Sequence, residues 1–88
     1  MTLRQICGER IRRQRMAFGW TQQEFSRVTG IPYPTLSRIE HGEQSMPYER
    51  LVAIAEILKV SLDYLAGRTD DPTPAKKRSR PRTAAPVG

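Results

Sequence analysis

The chain contains one cysteine and one histidine, and each scarcity excludes something. A lone thiol cannot form an intramolecular disulfide, which fits a protein of a reducing compartment. One histidine and one cysteine cannot supply four nitrogen or sulfur ligands, so a protein-only zinc site is excluded and no cofactor is expected. No apolar run approaches the ~18 residues of a membrane span, and Gly8-Glu9-Arg10 breaks the N-terminal stretch before a secretory core can form. No nucleophile is paired with a base, and no metal-ligand cluster or phosphate-binding glycine loop is present. With only 88 residues to build a cleft, an enzyme is not expected.

What the chain does carry is positive charge, 15 Lys and Arg against 9 Asp and Glu, for a formal net charge of +6. Such a balance points to a polyanionic partner. The charge is unevenly spread. Residues 68–88 hold six bases (Arg68, Lys76, Lys77, Arg78, Arg80, Arg82) and two acids (Asp70, Asp71), which leaves nine bases and seven acids for the first 67 positions. Four of the seven prolines also lie in 68–88, where Val87 is the only large apolar residue. A segment of that composition cannot bury enough surface to offset its ordering entropy. The reading is a folded unit over 1–67 followed by a disordered, Pro-rich basic tail over 68–88.

Within 1–67 the apolar spacing is helical throughout, and Gly19, Gly30, Gly42 and Gly67 each follow a helical segment as a stop signal. The first segment, roughly 3–18, places Cys7, Ile11 and Phe18 on one face. Gly8 lies inside it at a cost of ~1 kcal/mol relative to alanine, which predicts a regular helix starting later than Leu3. Thr21-Gln22-Gln23-Glu24 is a capping box, and Trp20 and Phe25 form a hydrophobic staple around it. A second helix runs from there to about Thr29. A third begins near Pro32–Pro34, where missing N–H groups do no harm, turns Leu36 and Ile39 inward and stops at His41-Gly42. Leu51, Ile54, Ala55 and Leu58 form the stripe of a fourth helix after Pro47. Ser61 caps a short fifth, with Val60 and Leu65 as its staple and Leu62 inward. The predicted fold is all-α with five short helices.

Helices two and three, joined at Gly30-Ile31, form a helix-turn-helix pattern over about 21–41, braced by Phe25, Val28, Ile31, Leu36 and Ile39. A major groove about 12 Å wide admits one such exposed helix. The run T-Q-Q-E-F-S-R-V-T-G-I-P-Y-P-T-L-S-R-I-E-H-G resembles the Cro/cI (xenobiotic-response-element, XRE) helix-turn-helix family, and the likeness extends from about Cys7 through L-V-A-I-A-E-I-L-K-V-S-L-D-Y-L to Gly67. It covers about three-quarters of the chain and implies a lambda-repressor-like DNA-binding domain.

Residue by residue, the resemblance implies the following roles. Thr21 and Gln22 open helix two at the DNA backbone, Gln22 binding a phosphate and buttressing the recognition helix. Pro32, Tyr33 and Pro34 occupy its base-reading N-terminal positions, with Ser37 and Arg38 one turn on. Thr35 and His41 fall at sugar-phosphate positions, and the amides of 43–47 approach phosphate. Arg15 pairs with Glu40. Chemistry alone asks only that a half-buried carboxylate directly after core Ile39 have a partner; the alternative is that Arg15 and Glu40 are both solvated surface charges. The two prolines depart from the Gln, Ser, Thr or Arg more usual in this family. They cannot donate hydrogen bonds, which shifts direct readout to Tyr33 and Arg38 and leaves apolar contact with thymine methyls. For Arg38, bidentate contact to guanine O6 and N7 stands beside the alternative of a phosphate contact.

The expected function is a sequence-specific double-stranded-DNA-binding transcriptional regulator, a repressor or an activator. It would act as a homodimer on a two-half-site operator, reading it with helix three, about 32–41. Tyr64 and Leu65 of the fifth helix are the candidates for the dimer interface. RNA polymerase would be the partner protein of an activator; the alternative function is an antitoxin or other interaction module that also binds its own operator, with a toxin as its partner. For Arg10, Arg12 and Arg13, a solvated helix face is the simpler reading, beside the alternative of a phosphate contact. The five bases from Lys76 to Arg82 suit a flexible clamp on DNA and a solvated tail equally well. The expected location is cytoplasmic, with nucleoid association when DNA is bound.

Overall fold

Thr2 closes the start of the first helix with a capping box, its hydroxyl accepting from Gln5 N (3.2 Å) while the Gln5 side chain accepts from Thr2 N (2.7 Å). In the computed structural model, which describes residues 1–74, five helices follow in order: α1 (Leu3–Ala17), α2 (Gln22–Thr29), α3 (Tyr33–Glu40), α4 (Tyr48–Leu58) and α5 (Leu62–Leu65). No strand occurs among the described residues, and none of their helices is long and apolar enough to cross a membrane.

Each helix contributes at least one fully buried side chain to a shared core: Ile11, Phe25, Leu36, Ile54 and Leu65. Helix α1 packs on α3, α4 and α5, and α2 packs on α3 and α4. The α1–α3 crossing explains Gly8. A Cβ built there would lie 2.8 Å from the carbonyl oxygen of Glu40 and closer still to that of Ile39. The helix therefore starts at Leu3 in spite of Gly8, against the expectation of a later start. The glycine serves the crossing, and the Thr2 cap helps offset its propensity cost.

Two residues expected inside lie outside. Phe18 is 44% exposed, because α1 ends at Ala17 and the helical spacing from Ile11 no longer applies; its ring stacks on Trp20 with centroids 5.0 Å apart. Val28 is 47% exposed. It sits three residues beyond Phe25, which turns it about 60° off the buried line, and Phe25 and Ile31 already fill the space between α2 and α3.

Helix α4 ends without a glycine. Lys59 adopts φ 58°, ψ 44°, a left-handed conformation that costs a side-chain-bearing residue ~1–2 kcal/mol. Lys59→Gly removes that cost, against ~0.4–1 kcal/mol of extra unfolded-state entropy. We expect a net gain of about 0.5–1 kcal/mol, read as a higher urea midpoint at unchanged slope; a lower midpoint would show that the lysine stem contributes more than its backbone costs.

The chain stays attached to the core beyond Gly67, where composition predicts that the tail begins. The Arg10 guanidinium donates to the carbonyls of Tyr64 (2.7 Å) and Thr69 and to the Asp70 carboxylate (2.9 Å), and it lies 4.4 Å from the centroid of the Tyr64 ring. Ser61 N donates to Pro72 O at 2.9 Å. Residues 68–74 thus run against α1 and α5. Two of Arg10's three acceptors are main-chain oxygens, which composition does not reveal. The rest of the expected tail, 75–88, lies outside the described residues.

Candidate functional site

The α2–α3 pair is fixed at both ends of α2. At its start Thr21 and Glu24 exchange the two capping-box hydrogen bonds, 2.9 and 3.1 Å. At its end Gly30 takes φ 75° as a left-handed cap, the conformation glycine adopts at no steric cost. Ile31 N donates to Thr29 Oγ1 (3.2 Å), and the Ser26 hydroxyl donates to Ile31 O. With Ile31 itself buried, the turn between the helices has little freedom.

Helix α3 then starts at Tyr33 with Pro32 before it and Pro34 as its second residue, and no side chain caps it. Its inner face, Leu36, Ile39 and Glu40, is buried. Its outer face carries Pro32, Tyr33, Pro34, Arg38 and His41, all exposed, with Thr35 and Ser37 half-buried between the two faces. Among the described residues Arg38 makes no ion pair. His41 caps the helix, and its Nδ1 lies 2.7 Å from Ser37 O. Beyond it Glu43 N donates to Arg38 O at 2.9 Å, which holds the following loop against the helix end.

One buried polar network ties the first three helices together. Arg15 Nε donates to Glu40 Oε2 at 2.8 Å and Arg15 Nη2 to Glu40 Oε1 at 3.1 Å, a bidentate pair. Arg15 Nη1 donates to Trp20 O (2.7 Å), and Gln22 Nε2 donates to Glu40 Oε1 (3.0 Å). The Glu40 side chain is fully buried and that of Arg15 is 10% exposed. Arg15, Gln22 and Glu40, which the sequence placed at three distant positions, thus converge behind α3. Thr21, by contrast exposed, precedes Gln22 at the start of α2.

The other arginines of α1 separate by role. Arg10 turns inward to its carbonyls, Arg13 pairs with Glu9 at 2.9 Å one turn earlier, and Arg12 is exposed. Cys7 is half-buried, and burial raises its thiol pKa above the ordinary value, which opposes thiolate chemistry. No group of three or more His, Cys, Asp or Glu among the described residues is placed to hold a metal ion.

The expected dimer residues need correction. Tyr64 is 8% exposed and Leu65 is fully buried, both within the protomer. The staple that sequence reading assigned to Val60 and Leu65 draws α5 into the core, so these side chains are spent inside. What remains outside is an open groove whose lining includes Tyr48, Val52 and Leu62. Gly8 is the site residue that the sequence reading valued only as a cost. Its one signal was a glycine kept in the middle of an otherwise good helix at a propensity cost.

A family model described as Helix-turn-helix matches residues 11–65. The chain is 33% identical over 70 residues to the Bacillus subtilis (strain 168) protein named as uncharacterized HTH-type transcriptional regulator YobD, covering 80% of this chain and 62% of that one. It is 38% identical over 60 residues to the cryptic phage CTXphi transcriptional repressor RstR of Vibrio cholerae, covering 68% and 54%. With uncharacterized HTH-type transcriptional regulator YazB of B. subtilis it shares 36% identity over 62 residues, covering 70% and 90%. The chain therefore spans less than two thirds of the first two relatives and most of the third. No solved structure matches it.

Proposed function

Because the chain belongs to the Cro/cI-type (XRE) helix-turn-helix family, whose members are DNA-binding transcription regulators and not enzymes, we propose that α3 enters the major groove of an operator and that two copies bind it together. The observation that carries this reading is the division of α3. Its inner face is locked by Leu36, Ile39 and the Arg15–Glu40 pair, while Pro32, Tyr33, Pro34, Arg38 and His41 stand outside. A helix braced on one side and bare on the other is what groove readout needs.

In this reading Tyr33 and Arg38 face base edges, with Pro32 and Pro34 beside them and Ser37 at the margin. Thr21, Thr35 and His41 lie along the sugar-phosphate ridges. Gln22 gives one amide hydrogen to Glu40 and keeps the second for a phosphate oxygen. The homodimer follows from reach: one short helix covers few base pairs, and two half-sites about 34 Å apart supply the missing affinity.

Selection of bound sites from random duplex DNA tests the reading. Enrichment of an inverted pair of half-sites one helical turn apart is expected, and recovery of unenriched sequence would overturn it. On the selected operator, Arg38→Ala should relax base preference at one position in each half-site. The discrimination lost should be about 1–3 kcal/mol if the guanidinium grips a guanine. An equal loss on every sequence would reassign Arg38 to the backbone.

A further inference from the structure

We propose that the Pro32–Tyr33–Pro34 corner of α3 reads the C5-methyl group of a pyrimidine, so that operator affinity depends on that methyl and not only on the identity of the base pair. The inference rests on the preceding reading of α3 as the groove helix, because the N-terminal residues of a recognition helix are those that meet base edges.

The chemistry of the corner is unusual for such a position. Three consecutive residues are exposed, Tyr33 by 45%, and two of them carry neither a side-chain polar group nor a backbone N–H. Reading guanine or adenine through bidentate hydrogen bonds takes Arg, Lys, Asn or Gln; none stands there. Tyr33 brings one hydroxyl on an apolar ring. What the corner offers is mostly carbon: two pyrrolidine rings flanking a phenol. In the major groove the apolar counterpart is the C5-methyl of thymine, and 5-methylcytosine projects a methyl from the same ring position.

The corner is also rigid. Pro32 holds φ −55° and ψ 141°, its carbonyl accepts from Leu36 N at 2.9 Å, and Ile31 just before it is buried. Pro34, as second residue of the helix, has its own φ fixed by its ring. A surface that loses little freedom on binding keeps most of what a small apolar contact contributes. The polar groups of α3 that suit hydrogen-bond readout, above all Arg38, lie a turn further along, so methyl contact and hydrogen-bond readout fall on different base pairs.

The test uses the full chain and an operator obtained by site selection. Each thymidine is replaced singly by deoxyuridine, which deletes only the C5-methyl, and affinity is read by fluorescence anisotropy. Where the thymine step is changed to a C·G pair, the cytosine is compared with 5-methylcytosine. At one or two positions per half-site the methyl should change affinity about fourfold, the worth of one buried methyl-sized group. The ratio of 5-methylcytosine to cytosine should match that of thymine to uracil. Pro34→Ser, acceptable to a helix start, should bring the thymine-to-uracil ratio at one of these positions close to one. Equal binding of thymine and uracil at every position of a specifically bound operator overturns the methyl reading and leaves the groove helix standing. Absence of specific binding to any duplex removes both.

Discussion

Glu40→Ala should lower the stability of the domain by about 3–5 kcal/mol, the cost of stranding one member of a buried ion pair. Arg15 is left with a guanidinium whose side chain is 10% exposed and whose one remaining acceptor among the described residues is Trp20 O. Gln22 loses its acceptor as well. In a domain of this size each kcal/mol shifts the melting midpoint by ~4–8 °C, so a fall of more than about 10 °C is expected. The penalty belongs to the unpaired charge and only in part to the pair. Replacing both members, as Arg15→Met with Glu40→Leu, should therefore recover much of the loss. A single Glu40→Ala variant that melts within about 2 °C of the parent would mean that water reaches Arg15 at no cost, and the network would lose its structural role.

Gly8→Ala is the second large effect, and its sign runs against helix propensity, which favours alanine by ~1 kcal/mol. The added methyl meets the carbonyl oxygens of Ile39 and Glu40, and main-chain atoms inside a helix cannot rotate away. Overpacking typically costs ~1–3 kcal/mol, and the upper end applies where the obstacle is backbone. Net of the propensity gain about 2 kcal/mol remains, so the variant should melt about 8–16 °C lower. Helix α3 can yield only by moving off α1, so operator affinity should fall further than the unfolded fraction explains, measured at a temperature where the variant is fully folded. An alanine variant as stable as the parent would show that the helices part without penalty.

How much of this was visible in the sequence depended on whether the cause was local. The capping box at Thr21 and the staple of Trp20 and Phe25, whose ring centroids lie 5.5 Å apart, involve residues within a few positions of each other. The stripe of α4 is likewise local. The Arg15–Glu40 pair spans 25 positions; a carboxylate beside a core isoleucine called for a partner, but only the resemblance pointed to Arg15. Other features had no local mark. Gly8 shows its purpose only when α3 is laid against it, and Arg10's carbonyl acceptors belong to residues 54 and 59 positions away. Lys59 ends a helix where sequence rules look for glycine. Tyr64 and Leu65 looked available because no other helix had comparable apolar residues to spare, whereas Leu65 is fully buried and the Tyr64 ring lies against Arg10. In the candidate site, the exposed and buried sides of α3 were legible from Leu36 and Ile39; that Gln22 buttresses α3 came from the resemblance, and that it does so by donating to Glu40 came only from the structure.

Trp20 is the chain's sole tryptophan, and it stands between the rings of Phe18 and Phe25 while its carbonyl holds Arg15. Its indole emission therefore reports, without any dye or tag, on the joint where the first two helices meet. A red shift on heating would register the opening of that joint, and a shift on adding an oligonucleotide would register strain passed back from the groove.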